Sequence, residues 1–121
     1  MTTATTVLLV EDEPLVLQST SDLLEHDGYR VVEATNYREA VAALEAEPST
    51  AVMVTDISIG GEGDGVQLAR LAAERFPHVR TVIVSGAVRP PGDTYPKEAI
   101  FFTKPYAPGA LLTIVKDCIG C

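Results

Sequence analysis

A chain of 121 residues, 46% hydrophobic and 21% charged, has the size and mix of one folded domain. Its net charge of −8 repels phosphate backbones and anionic lipid, which argues against nucleic acid and membrane surfaces as partners. Cys118 and Cys121 are too few for a disulfide scaffold, no apolar run reaches the ~18 residues of a membrane span, and Met1 to Thr6 lacks the basic region of a secretory signal. Val7-Leu-Leu-Val10 is too short and too evenly apolar for a surface helix and reads as a buried strand. Pro14 suits the first turn of the helix that follows, with Val16, Leu23 and Leu24 on one face and Asp27-Gly28 closing it. Tyr29 to Glu33 reads as a second, partly exposed strand. Asn36 and Glu39 have the spacing of a capping box before a helix with Ala40, Val41 and Leu44, stopped at Pro48. Ala51 to Thr55 is the third predicted strand. Beyond a glycine-rich loop, Val66, Ala69, Ala72, Ala73 and Phe76 mark a helix ended by Pro77. Val79 to Val84 and Ala99 to Phe102 are the fourth and fifth strands, and Leu111, Leu112, Val115 and Ile119 mark a closing helix.

This alternation predicts a single doubly wound α/β domain over residues 1–121, with right-handed crossovers and a five-stranded parallel sheet of the flavodoxin-like type. The proline-rich stretch 89–96 cannot hold a regular helix, so the fourth helix is expected to be shortened or absent. Open parallel sheets bind ligands beyond the carboxyl ends of their strands. Here those ends carry Glu11-Asp12-Glu13, Asp56, Ser85 and Thr103-Lys104. Acids gathered on one rim repel one another, and a divalent cation relieves that repulsion. Carboxylates without nitrogen or sulfur ligands suit Mg²⁺. A carboxylate beside such an ion can attack a phosphoryl group to give an aspartyl phosphate, with an ammonium and a hydroxyl stabilising the phosphoryl oxygens.

With Val10-Glu-Asp-Glu-Pro14, Asp56 after an apolar strand, Ser85-Gly86 and Lys104-Pro-Tyr106 in that order, the sequence resembles the receiver domains of two-component response regulators over nearly its whole length. The resemblance implies a CheY-like fold with Asp56 as phosphoacceptor. Glu11 and Asp12 would be the acidic pair, Asp12 the more direct Mg²⁺ ligand, joined by Asp56 and the main-chain carbonyl of Ser58. It further implies Ser85 as switch hydroxyl, Lys104 as phosphate-contacting lysine, Pro105 as the structural proline behind it and Phe101 as the rotameric switch aromatic, able to signal by burial but not by a hydroxyl. The phosphoryl group would come from a histidine kinase or histidine phosphotransfer protein in a bacterial cytoplasm. The chain would act as a single-domain regulator, a monomer or weak homodimer, on a protein target or as a phosphorelay intermediate. It would be a signalling substrate whose one hydrolytic activity is its own dephosphorylation.

Two stretches depart from the family pattern. Between Asp56 and Gly65 lies one residue more than in Asp-x-x-Met-Pro-x-Met-Asp-Gly, with Gly60 in the proline's place, and Ser85 to Lys104 is a few residues short. The looser loop leaves open a degenerate receiver that binds a partner constitutively. A small aspartate-nucleophile phosphohydrolase is a further alternative, but it wants a second acid where Ser58 stands. Other motifs fail. Val66 occupies the third glycine of a dinucleotide fingerprint, and Gln67 stands where a calcium loop from Asp56 needs Glu. Cys118-Ile-Gly-Cys121 ends a helix, where the dipole disfavours a thiolate, and His26 and His78 read as surface residues.

Overall fold

The computed structural model describes residues 4–59, 63–86, 95–104 and 107–120. Gly60, residues 89–94 of the proline-rich stretch, Pro105 and Cys121 therefore lie outside the described residues. In chain order the elements are β1 (Thr6–Val10), α1 (Pro14–His26), β2 (Arg30–Ala34), α2 (Tyr37–Ala46), β3 (Thr50–Asp56), α3 (Gly65–Arg75), β4 (Arg80–Ser85), β5 (Ile100–Thr103) and α4 (Pro108–Gly120). The strands form one parallel sheet in the order β2-β1-β3-β4-β5, the five-stranded arrangement expected from the alternation. No helix occurs between β4 and β5 among the described residues, which leaves four helices in the description.

Alternation along the strands divides the core into two layers. On one face Val7, Leu9, Val52, Val54, Val82 and Val84 pack against Leu17 and Leu24 of α1 and Leu111 and Val115 of α4. On the other, Leu8, Val10 and Met53 meet Ala40 and Leu44 of α2 and Leu68 and Ala72 of α3. Ile83 lies with Ala69 and Tyr95 on that second side, toward the β5 edge. Every residue of β1 is buried because helices cover both of its faces, whereas β2 and β5, at the two edges, are only partly buried.

Local chemistry sets the helix ends. Pro14 opens α1, and beyond its last turn Gly28 takes φ 98°, the left-handed conformation a Cβ would disfavour. Asn36 caps α2 by accepting the Glu39 N–H at 2.8 Å. The Glu39 carboxylate reaches back one residue further than a standard box, accepting the N–H and the hydroxyl of Thr35, each at 2.7 Å. The helix gives way at Ala46 with Glu47 as its C-cap, one residue before Pro48. α3 begins one residue earlier than its apolar spacing suggests, because Asp64 and Gln67 form a reciprocal capping box, each accepting the other's N–H at 2.9 Å.

Candidate functional site

The carboxyl ends of β1, β3 and β5 bring together three charged side chains from distant parts of the chain. The Lys104 ammonium donates to Asp56 Oδ2 at 2.8 Å and to Glu11 Oε1 at 3.3 Å, across 48 and 93 residues of sequence. Strand register explains the meeting. Leu9, Val54, Val84 and Phe102 all pack on the α1 and α4 face. Stepping two residues onward from each strand's inward position puts Glu11, Asp56 and Lys104 on that same side. The main chain locks the arrangement. Lys104 N–H donates to the Ser85 carbonyl at 2.9 Å, Ile57 N–H to the Val84 carbonyl at 3.0 Å, and Glu11 N–H to the Ala34 carbonyl at 3.0 Å.

Glu11 is the most enclosed of the acids, 6% exposed, and its second oxygen accepts the Glu13 N–H at 3.1 Å. Burial pushes its carboxyl above the ordinary value, against the pull of the Glu13 N–H and the Lys104 ammonium, and the Asp56 charge adds to the rise. Burial alone would lower the Lys104 ammonium, but the hydrogen bond and charge of Asp56, helped by Glu11, win and raise it. Lys104 is thus held as a cation between two carboxylates. Asp12 and Glu13 are exposed on the turn into α1, and Ser58 is exposed two residues past Asp56. Among the described residues no three acid, histidine or cysteine side chains stand close enough to form a metal cage. Glu11 and Asp56 are the two expected acids that converge.

Ser85 approaches from the opposite face. It lies two residues beyond Ile83, which pairs with Phe101, and it pairs in turn with Thr103. Ser85 and Phe101 therefore share the α3 side of the sheet, one strand apart. Ser85 is buried at 4% exposure, while Phe101 is half-buried with its ring centroid 5.9 Å from that of Tyr95. Phe102 points the other way and packs on the α1 and α4 layer. His26 and His78 are both exposed, as the sequence suggests, and His78 Nε2 lies 2.8 Å from the Pro48 carbonyl.

Beneath the charged triad is a void of only about 10 Å³, floored by Leu9, Val54 and Val84. Among the described residues that void is too small for an organic molecule. A larger groove of about 440 Å³ runs between α3 and the amino ends of β4 and β5, lined by Ala69, Ala73, Val79, Arg80, Glu98 and Ala99. It lies at the opposite end of the strands from Asp56 and contains none of the residues singled out for chemistry.

Sequence reasoning missed three residues around Asp56. Asp64 and Gln67 fix the start of α3, and their Asp-x-x-Gln spacing was a legible cap signal. Gly65 donates its N–H to the Ile57 carbonyl at 2.8 Å and passes so near the β3 end that an added Cβ would collide with the Asp56 carbonyl oxygen. Only glycine fits there.

Residues 7–116 match the response regulator receiver domain. The response regulator receiver protein CpdR of Brucella abortus is 33% identical over 104 residues, covering 83% of this chain and 84% of that protein. The two-component response regulator PprB of Pseudomonas aeruginosa is 36% identical over 62 residues, and there the match spans 22% of the relative's length. A response regulator receiver protein from Sinorhizobium medicae has a crystal structure that superposes with a TM-score of 0.89 at 28% identity, covering 98% of this chain and 96% of that one.

Proposed function

The chain belongs to the response regulator receiver family, a signalling family rather than a class of enzymes, and we propose that it is a single-domain switch phosphorylated on Asp56. The observation that carries this reading is the Lys104 ammonium held 2.8 Å from Asp56 Oδ2 and 3.3 Å from Glu11 Oε1. A carboxylate oxygen of Asp56 attacks the phosphorus of a phosphohistidine on a histidine kinase or phosphotransfer protein. The P–N bond breaks, the imidazole departs with the electron pair, and an acyl phosphate remains on Asp56. Lys104 follows the negative charge from the carboxylate to the phosphoryl oxygens. Ser85, on the other side of β4, donates its hydroxyl to a second phosphoryl oxygen. Its inward movement lets Phe101 bury more deeply, shifting an equilibrium between two packings of the β5 edge.

The donor set fits Mg²⁺. All candidate ligands are hard oxygens, from Glu11, Asp12, Asp56 and the Ser58 carbonyl, and Mg²⁺ needs only one or two carboxylates because it keeps its waters. Glu11 and Asp56 already share one cation, the Lys104 ammonium, so the rim is complementary to positive charge. When bound, the ion neutralises charge between acceptor and phosphoryl oxygens. Water then hydrolyses the acyl phosphate and resets the switch. Among the described residues no helix is long and apolar enough to cross a membrane.

Incubation with acetyl phosphate and Mg²⁺ tests the reading. The expected result is one acid-stable, hydroxylamine-labile phosphoryl group that Asp56→Asn abolishes. Absence of that group on the unaltered chain would leave constitutive partner binding as the better account. Turnover of unrelated phosphate esters would instead favour a hydrolase.

A further inference from the structure

Tyr37 is the first residue of α2, and the Thr35-Asn36-Glu39 cap fixes where it stands. Its half-buried ring packs against the layer that contains Leu44 and Leu68. The ring edge also lies against Gly63: an added Cβ there would stand 2.9 Å from Tyr37 Cδ2 and 3.0 Å from Cε2. The same methyl would be 2.9 Å from Gln67 Oε1, the atom that accepts the Asp64 N–H. Gly63 is therefore clamped between an aromatic ring of one helix and the capping box of the next. Two residues further on, Gly65 is hydrogen-bonded to the Ile57 carbonyl and in close contact with the Asp56 carbonyl. One continuous set of contacts thus runs from the α2 ring through Gly63, the Asp64–Gln67 box and Gly65 to the main chain of Asp56.

We propose that Tyr37 is a positioning residue for phosphoryl transfer: its ring pins Gly63 and, through the start of α3, the backbone that aims Asp56. The proposal rests on the reading of Asp56 as phosphoacceptor. The physical need is plain in the sequence. Gly60, Gly61, Gly63 and Gly65 crowd the connection after the acceptor, and glycine loses more conformational freedom on ordering than any other residue. Among the described residues, the stretch from Gly63 to Gly65 has few side chains of its own and gains order from a ring brought by a neighbouring helix. The contact with Gly63 is made by the ring atoms Cδ2 and Cε2.

The test uses the whole chain with acetyl phosphate and Mg²⁺, together with amide hydrogen exchange. Because reacting groups misplaced by ~1 Å lose much of their rate, Tyr37→Ala is expected to slow phosphorylation at saturating donor about tenfold, and Tyr37→Phe to stay within about twofold of the unaltered chain. The Gly65 amide is expected to exchange about tenfold faster in Tyr37→Ala, while the Met53 and Val54 amides in the middle of β3 keep their protection. Gly63→Ala should slow transfer in the same way, and adding it to Tyr37→Ala should cause no further loss, as expected of two residues in one contact. An unchanged Gly65 amide, or a Phe variant as slow as the Ala variant, would overturn the proposal. A chain that takes no phosphoryl group at all defeats the reading of Asp56 and the transfer role of Tyr37 with it. A phosphorylated chain indifferent to Tyr37→Ala defeats the inference alone.

Discussion

The two regions that meet at the charged rim are built differently. β1 and β3, which carry Glu11 and Asp56, are central strands whose side chains are almost all buried between helices. β5, which carries Phe101 and leads to Lys104, is an edge strand buried only in part along its length. The proposed acceptor needs a fixed geometry, and close packing on both faces supplies it. The proposed switch aromatic, Phe101, needs to exchange one packing for another at small cost, and a half-exposed edge allows it. Fixed and compliant packing thus occupy strands of one sheet, with β4 standing between β3 and β5.

Stability should divide along the same line, and that division is the largest effect expected. Met53→Ala, in the fully buried centre of β3, is expected to cost about 2–5 kcal/mol in urea unfolding. Phe102→Ala removes a larger side chain but from a half-buried site, and should cost less than Met53→Ala. An equal or greater loss at Phe102 would erase the contrast between centre and edge. Lys104→Met tests what the edge lends to the chemistry: phosphorylation from acetyl phosphate should fall about 10²-fold, the usual effect of losing one donor to developing charge. Lys104→Arg should not restore it, since a planar guanidinium differs in reach and shape from an ammonium.

Gly65→Ala probes the central side, where the new methyl collides with the Asp56 carbonyl rather than with a flexible side chain. A loss of about 1–3 kcal/mol is expected from the forced backbone shift, along with slower phosphorylation. The smallest effect is on pH dependence. The folded state holds the Lys104 proton more tightly than the unfolded chain, so this contribution is complete below pH 10.5 and fades as pH climbs through the raised value. Lys104→Met should therefore flatten the alkaline limb of stability against pH. Glu11 acts in the other part of the range. Its raised value favours the protonated folded form, so stability should decline as pH rises from 4.5 through that value, and Glu11→Gln should remove the decline.

Periodicity made the fold readable. Each apolar run lies on its strand to within about two residues at either end, since central parallel strands are apolar on both faces and their turns are marked by proline and glycine. The meeting of Glu11, Asp56 and Lys104 was readable because these residues sit at strand ends, where topology alone gathers them. What escaped depends on contacts that no local spacing announces. Nothing in residues 35–39 signals that the Tyr37 ring meets Gly63, nor does the glycine-rich stretch reveal that Gly65 touches the Asp56 carbonyl. Among the three consecutive acids, composition could not say which one turns inward. Strand parity decides it, continuing from Leu9 to the enclosed Glu11 and leaving Asp12 exposed.

That same parity sets where this chain can change length. Deleting one residue inside Ile100–Thr103 would exchange Phe101 with Phe102 across the sheet and turn the following ammonium toward the wrong helices. A residue gained in a connection rotates nothing, as the longer glycine-rich stretch after Asp56 illustrates. Length changes are therefore expected to be tolerated in the links between strands and not within the strands, which behave as fixed rulers.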